Sequence, residues 1–254
     1  MALRVLLYSC ILLVLSTAQA EDATLIERWD FDQTDGTALI AYGDVQRDQM
    51  GPVPPEFPDF AAHNTAVTFG PKGGYFAVAD SAASQGLAFT NGDAITIEAW
   101  VNVAAMAEGQ NRYVIGKGRT GASQFPRDNQ NWGLRVVGRG GEVRVSFLFA
   151  TAFQDDGKHW HRWISNEGFA TGSGWRHIAV TYQFGAPKTV QGWIDGKATS
   201  GKWDMGGATT DAPVMDEDAV WIGSALGGNA TSSFIGAMDS LAVHRVLLGD
   251  DVLA

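Results

Sequence analysis

The stretch that decides the fold is Gly174-Trp175-Arg176-His177-Ile178-Ala179-Val180-Thr181-Tyr182, followed by Val190-Gln191-Gly192-Trp193-Ile194-Asp195-Gly196-Lys197. Apolar side chains alternate along the first segment at Ile178, Val180 and Tyr182, and along the second at Val190 and Ile194. Alternation with a period of two predicts strands that bury one face. Asp195-Gly196 predicts a tight turn, because both residues tolerate a positive φ. The two segments are therefore interpreted as strands of one sheet.

The same alternation recurs along most of the chain, and no long helical periodicity accompanies it. Its clearest example is the run at residues 95–103, where Ile, Ile, Ala, Val and Val occupy every second position. Similar short runs lie at residues 67–69, 75–79, 113–115, 132–137, 143–149, 219–222 and 234–243. About a dozen short strands separated by Gly, Asn and Asp predict an all-β antiparallel sandwich rather than an α/β fold.

Three regions lack this pattern. Residues 41–63 include Pro52, Pro54, Pro55 and Pro58, and proline cannot donate to a central β-ladder. We therefore expect a long surface loop there. Residues 151–174 and 198–217 are predicted to be irregular for want of a clear alternation.

The N-terminus has the layout of a secretory signal peptide. Arg4 precedes an apolar run at residues 5–15, and Ala18-Gln19-Ala20 supplies the small residues of a cleavage site. We predict a signal peptide over residues 1–20 and a single domain over 21–254. The alternative is an uncleaved anchor, although the apolar run is short for a membrane span. The protein is therefore expected to be extracellular or periplasmic, without membrane association after cleavage.

Cysteine content and charge narrow the function classes. Cys10, the one cysteine, lies inside the predicted leader, so the mature domain has no disulfide. The chain carries a net charge of −10, which disfavours binding to nucleic acid or to an anionic membrane. Acidic residues also offer ligands to calcium, but keeping a secreted protein soluble is the simpler explanation.

Taken in order, the strand segments resemble the laminin-G-like, concanavalin-A-like jelly-roll family, as found in bacterial-type secreted modules. The motifs are LIERWDFD (25–32), AVTF (66–69), YFAVAD (75–80), ITIEAWV (95–101), VIGKG (114–118), WRHIAVTY (175–182), WIDGK (193–197), VWIGS (220–224) and FIGAMDSLAVHRVLL (234–248). The resemblance implies two curved antiparallel sheets with the first and last strands side by side. It also implies an accessory domain of the kind found beside hydrolases, sialidases or adhesins, which binds glycans or proteins.

The sequence gives no sign of catalysis. Glycosidases of the related fold carry Glu-x-Asp-x-x-Glu on one strand, because one carboxylate attacks or activates water while the other donates a proton. The strand at residues 95–101 has a single acid, Glu98. The sequence also lacks a Gly-x-Ser-x-Gly nucleophile elbow. We therefore predict that the protein is not an enzyme, and assign no role to His177 or His244.

The densest cluster of functional side chains comprises His159, Trp160, His161, Arg162 and Trp163. Tryptophan rings can stack on sugar faces while neighbouring polar groups bond to hydroxyls, so these residues are candidate ligand contacts. The alternative is that Trp160 and Trp163 pack this segment onto the sandwich. The His159-x-His161 spacing could also serve a metal if the segment is extended, but no third ligand is apparent.

Two further tryptophans, Trp100 and Trp193, lie off the apolar stripes of their strands. They are candidates for lining a concave sheet face, with packing under covering loops as the favoured alternative.

Three acids suggest a structural calcium site. If the first and last strands are neighbours, Asp30, Asp32 and Asp239 could approach one another and bind a calcium ion with backbone carbonyls. The alternative is that these acids keep a sheet edge soluble.

The sequence thus predicts a secreted, non-catalytic binding module for glycans or a cell-surface or extracellular polymer. A structural, adhesive or protein-interaction domain of a larger secreted protein is the alternative, and a glycoside hydrolase is the least favoured interpretation.

Overall fold

The computed structural model describes residues 24–32, 39–78, 86–153 and 158–253, so the predicted signal peptide lies outside the described residues. In this part of the chain the strands are β1 Leu25–Trp29, β2 Leu39–Met50, β3 Thr65–Val78, β4 Ala94–Val103, β5 Asn111–Lys117, β6 Trp132–Arg139, β7 Glu142–Ala150, β8 Trp160–Phe169, β9 Arg176–Gln183, β10 Ala186–Ile194, β11 Lys197–Thr199, β12 Gly201–Met205, β13 Val220–Ile222 and β14 Gly236–His244. A 3-10 turn at Leu226–Gly228 and a short helix, α1 Asp250–Leu253, complete it. No helix among these residues is long and apolar enough to cross a membrane.

The strands follow a continuous hydrogen-bonded order, β11-β10-β9-β4-β14-β3-β13-β5-β6-β7-β8-β12, with β1 on β14 and β2 on β3. The long strand β3 pairs with β14 near its start and with β13 near its end, so it joins two layers. The layers pack face to face, as shown by the rings of Phe147 on β7 and Tyr182 on β9, whose centroids are 5.2 Å apart. The predicted antiparallel sandwich is confirmed, as is the pairing of the first and last strands.

The core follows from the alternation seen in the sequence. On β4, Ile95, Ile97, Ala99, Val101 and Val103 are all at most 1% exposed. Facing side chains from β6, β7 and β9 complete one apolar core, whose members include Trp132, Val145, Phe147, Val180 and Tyr182. Because successive residues of a strand point to opposite faces, the side chains between these positions lie on the outer surfaces of the two layers.

The segments at residues 174–182 and 190–197 form most of β9 and the second half of β10. They pair antiparallel with Trp193 opposite Ala179 and Ile194 opposite Ile178. Asp195 and Gly196 both have positive φ, 47° and 72°, as the predicted turn requires.

Three predictions about irregular regions need correction. The first part of the predicted loop at 41–63 is strand β2, which is paired only with β3 in the described structure and exposes Tyr42 and Met50. From Ile40 to Met50 the side chains of β2 are exposed or half-buried on both faces, so its sequence lacks the apolar alternation of a strand with one buried face. The region 151–174 contains β8, and 198–217 contains β12. Strand β8 has polar side chains such as His161 and Ser165 at buried positions, and β12 is only five residues long, so neither shows a clear apolar alternation.

Candidate functional site

Strand β8 divides the predicted cluster of ligand contacts between two faces. Trp163 points inward, is 2% exposed and belongs to the main core. Trp160 and Arg162 are each half-buried and line a cavity on the outer face. Because alternate residues of a strand face opposite ways, these neighbours cannot all contact one ligand. The structure therefore places Trp163 as the packing alternative expects, and leaves Trp160 and Arg162 open to the outer cavity.

The two histidines of this cluster are engaged by the protein. His161 is buried, its Nδ1 lies 2.9 Å from the carbonyl oxygen of Gly207, and its ring stacks on Phe149. His159 is also buried, with Nε2 3.1 Å from a carboxylate oxygen of Asp128. Within the described ranges, no group of three His, Cys, Asp or Glu side chains is arranged to hold a metal ion.

The cavity beside Trp160 is built on the outer face of β5 to β8. It has a volume of about 580 Å³ and is lined by, among others, Tyr113, Arg119, Arg135, Leu148, Trp160 and Arg162. We call it the arginine cavity. Its floor is a small apolar cluster separate from the main core, in which Trp160 packs against Tyr113, Leu148 and Ala225. No carboxylate is among its lining residues in the described structure.

Tyr113 organises the arginine cavity. The pairing of β5 with β6 shifts register between Tyr113 and Ile115, and a bulge of this kind re-aims a side chain. The Tyr113 hydroxyl donates to Gln130 Oε1 at 3.0 Å and accepts a hydrogen bond from Arg119 Nη1 at 2.9 Å. The Arg119 guanidinium also lies 4.4 Å from the centroid of the Trp160 ring, and Arg135 lies 5.4 Å from that of Tyr113. Aromatic rings and guanidinium groups thus alternate around the cavity.

The three arginines differ in how their charge is compensated. Arg162 forms a bidentate pair with Asp204 at 2.8 and 2.9 Å and donates from Nη1 to Asn111 at 2.9 Å. Arg139 also lies 3.2 Å from Asp204. Arg119 and Arg135, in contrast, form no ion pair with any described residue. Among the described residues, the positive charges of Arg119 and Arg135 at the cavity therefore have no neutralising carboxylate.

Arg135 is the most buried of the three. Its side chain is 5% exposed, and its Nε and Nη2 have no hydrogen-bond partner in the described structure. Burial, together with the neighbouring charges of Arg162 and Arg119, lowers the pKa of Arg135 to about 10, so it remains a cation at neutral pH.

A second cavity lies on the outer face of the other layer. It has a volume of about 590 Å³, and its lining includes Asp30, Asp32, Glu56, Asp59 and Trp100. We call it the acidic cavity. The proline-rich loop covers part of it, and Phe57 and Phe60 meet the Trp100 ring edge-on at 5.3 and 5.2 Å. Trp100 therefore lines a cavity while being packed under a loop.

Asp239 lies buried beside the acidic cavity. It is 0% exposed, and its two carboxylate oxygens accept hydrogen bonds from Asn64 Nδ2 at 2.6 Å and from the Ser240 amide at 2.7 Å. Burial raises the pKa of Asp239 to about 7; the two hydrogen bonds oppose this rise, and the charges of Asp32 and Asp30 add to it. Asp239 thus makes internal hydrogen bonds through both carboxylate oxygens. Calcium binding by Asp30, Asp32 and Asp239 stays a prediction.

Near Trp100 lies a mostly buried cluster of one glutamate and two histidines, which the sequence analysis did not predict. Glu98 accepts hydrogen bonds from His177 Nε2 at 3.1 Å and His244 Nε2 at 2.8 Å. Burial alone would raise the pKa of Glu98, but the two imidazoles outweigh it and hold this pKa at about 2. The three residues come from β4, β9 and β14, so the cluster ties adjacent strands together.

Trp193, on β10, lies in the same layer as Trp100 and lines neither of the two cavities. It is 4% exposed and packs with Ala179, Leu248 and Leu253. The chain after β14 therefore covers it, as the packing alternative expects.

Sequence reasoning missed Tyr113, Arg119 and Arg135. A signal for Arg135 was present, since it occupies the outward position between Leu134 and Val136 in a strand whose inward side chains are apolar. Arg119 follows β5 in a loop with φ 59°, and no sequence pattern indicated that it would meet Trp160.

The fold and the cavities define the class, an antiparallel β-sandwich of jelly-roll type with pockets on its outer faces. The family model Laminin_G_3, described as the concanavalin A-like lectin/glucanases superfamily, matches residues 71–253, and the chain belongs to this family. No curated protein matches the chain.

Several solved structures share the fold at low identity. The CBM40 of the Ruminococcus gnavus IT-sialidase, bound to α2,3-sialyllactose, is 15% identical with a TM-score of 0.53, and the match covers 74% of this chain and 94% of that one. The Trypanosoma rangeli sialidase in complex with 2,3-difluorosialic acid is 14% identical with a TM-score of 0.53, covering 91% of this chain and 32% of the sialidase. These likenesses establish the jelly-roll fold.

Proposed function

We propose that this protein is a secreted, non-catalytic binding module for glycans, and that the arginine cavity is its binding site. The observation that carries the proposal is the convergence of Trp160, Tyr113 and two unpaired arginines on one open cavity of about 580 Å³. That size falls within the range of small-molecule sites, roughly 300–1,000 Å³.

The lining suits a sugar. An apolar ring can pack on the C–H face of a pyranose, and guanidinium groups in a fixed geometry can donate to its oxygens. Arg119 covers one face of the Trp160 ring, and the ring also packs on the apolar floor of the cavity, so its exposed part in the cavity is what remains for a ligand. The CBM40 neighbour matches this chain over 94% of its own length, and its structure was solved with bound sialyllactose. This likeness supports a glycan as the partner.

A hydrolase is the less favoured alternative. The acidic cavity has several carboxylates, and Asp239 beside it has the raised pKa of a general acid. However, Asp239 is completely buried and is not among the residues lining that cavity. A general acid must come within hydrogen-bonding distance of the leaving group, so this arrangement supports binding over hydrolysis.

The test is binding of the purified domain to a glycan array, followed by titration of the best glycan with two variants. Trp160→Ala removes the ring from the arginine cavity and should weaken binding about tenfold, the value of one stacking contact of about 1–1.5 kcal/mol. Trp100→Ala is the matched control in the acidic cavity and should leave affinity unchanged. An equal loss of affinity in both variants, or a loss in Trp100→Ala alone, would contradict the assignment of the binding site to the arginine cavity. Binding to no glycan would favour the structural or protein-interaction alternative.

Secretion is tested separately. Expression with the native leader in a host with a general export pathway should give a mature chain that begins at Glu21, because cleavage is expected after Ala20. N-terminal sequencing of the exported protein gives the answer, and a retained, membrane-bound chain would favour the uncleaved anchor.

A further inference from the structure

We infer that the arginine cavity selects glycans that carry a carboxylate, such as sialic or uronic acid residues, and that Arg135 is the residue that imposes this selectivity. The inference rests on the proposed function and specifies the chemical class of the ligand.

The first argument is the charge of the cavity. Three guanidinium groups line it, and no carboxylate lines it in the part of the chain that the structure describes. Of the three, Arg162 alone has its charge balanced by a residue that the structure describes, through its bidentate pair with Asp204. This concentration of positive charge stands in a chain whose net charge is −10, so general surface charge does not explain it.

The second argument is the burial of Arg135. A buried cation without a counter-charge is costly, and buried charges in proteins are therefore normally paired. Arg135 is 5% exposed, lacks an ion pair among the described residues and leaves Nε and Nη2 without partners. Both of these nitrogens are buried, so a carboxylate entering the cavity would supply the missing negative charge by its proximity in a poorly solvated site and not by contact with them.

The third argument is the position of Arg135 relative to the other groups. Arg119 is half-buried beside Trp160, whereas Arg135 is almost fully covered beside Tyr113. A ligand with its carboxylate directed toward Arg135 would leave its sugar ring beside Trp160. A neutral sugar would leave the Arg135 charge uncompensated, which is the basis of discrimination against it.

The experiment compares matched acidic and neutral glycans by calorimetric titration. 3′-Sialyllactose is paired with lactose, and tri-galacturonate is paired with its methyl ester. At least one acidic member should bind about tenfold or more tightly than its neutral partner, and the two pairs together distinguish a sialic from a uronic acid ligand. A neutral member that binds as tightly as its acidic partner in both pairs would overturn the inference while leaving glycan binding intact. Binding to none of the four, and to no glycan on the array, would remove the proposed function as well.

The variant Arg135→Met removes the charge and keeps an unbranched side chain of similar reach. It should lose the tenfold preference for the acidic glycan, while the midpoint of thermal unfolding stays the same or rises, because an unpaired buried charge has been removed. Arg135→Lys keeps the charge and should retain part of the preference. Arg28→Met, at the acidic cavity, is the control and should change neither. An Arg135→Met protein that keeps its preference, or that unfolds at a lower temperature with affinity unchanged, would assign Arg135 a purely structural role and overturn the inference.

Discussion

The two cavities have nearly the same volume, about 580 and 590 Å³, and lie on the outer faces of opposite layers, yet their electrostatics are reversed. In the acidic cavity the carboxylates are exposed, and two of them have partners: Asp32 accepts a hydrogen bond from Thr65, and Asp30 lies 3.9 Å from Arg28. In the arginine cavity Arg135 is buried and has no ion pair among the residues that the structure describes. Exposed charges cost little, whereas a buried unpaired one is expensive. The two cavities therefore differ in how their charges are compensated and not in size, and this difference is the reason for proposing the arginine cavity as the binding site.

The tryptophans of the two cavities differ in the same way. Trp100 is held by Phe57 and Phe60, which meet it edge-on, and such rings form a packed aromatic group. Trp160 contacts the Arg119 guanidinium and the apolar floor formed by Tyr113, Leu148 and Ala225, and the remainder of its ring faces the cavity. We therefore expect Trp100 to matter for stability and Trp160 for binding.

The largest effect expected separates the two faces of β8 beneath the arginine cavity. Trp163→Ala should lower the free energy of unfolding by about 3–5 kcal/mol, because it empties a site in the core. Trp160→Ala should lower it by less, about 1–2 kcal/mol, because that ring is only partly buried, on the small apolar cluster beneath the cavity. Chemical denaturation of both variants measures the difference. Similar losses at the two positions would mean that Trp160 is also a core residue.

The next effect concerns the layer below the acidic cavity. Glu98→Gln should destabilise the fold by about 1–3 kcal/mol at pH 7, since a carboxylate with two imidazole donors is lost. The pKa of Glu98 is about 2 in the folded protein against an ordinary value of 4.5, so its contribution is complete above pH 4.5 and disappears as the pH falls toward 2. Unfolding midpoints of wild type and variant should converge at low pH. Asp32→Asn, which removes an exposed carboxylate, is the control and should show a smaller difference; a gap that stays constant with pH contradicts the account.

A smaller effect is expected from salt. Affinity for an acidic glycan should fall about threefold between low and high ionic strength, because ions screen charge attraction but act weakly on partly buried groups. Affinity for a neutral glycan should change little. The double variant Asp30→Asn/Asp32→Asn, which alters only the acidic cavity, should reproduce the wild-type salt dependence. An altered salt dependence in that variant would indicate that the ligand binds in or near the acidic cavity.

The smallest effect is expected from calcium. Because Asp239 is occupied by Asn64 and Ser240, a chelator should leave the unfolding midpoint unchanged within about 1 °C. A ligand that binds only the native state must raise the midpoint. A clear rise on adding calcium, lost in Asp239→Asn, would restore the calcium hypothesis.

The fold was predictable from the sequence because apolar and polar side chains alternate along most of its strands. The apolar stripe at residues 95–103 predicted a strand, and Asp195-Gly196 predicted a tight turn, because both depend on local sequence alone. The order of the motifs then identified the sandwich. Strand β2 was not predictable, since an edge strand exposes Tyr42 and Met50 and shows no apolar stripe.

The candidate site was predictable only in part. Density of aromatic and charged residues pointed to the segment around Trp160, but not to which of its side chains face outward. Partners such as Tyr113 and Arg135 come from other strands, and a single sequence carries no record of which strands become neighbours. The buried pairing of Glu98 with His177 and His244 was missed for the same reason.

The most direct test of the account is nuclear magnetic resonance of the tryptophan indole N–H groups during titration with the tightest-binding glycan from the array. Indole resonances are assigned by comparing wild type with Trp160→Ala and Trp100→Ala. The account predicts that the Trp160 resonance moves with ligand concentration while that of Trp100 stays in place. Movement of Trp100 with Trp160 unchanged would place the ligand in the acidic cavity and contradict the central claim.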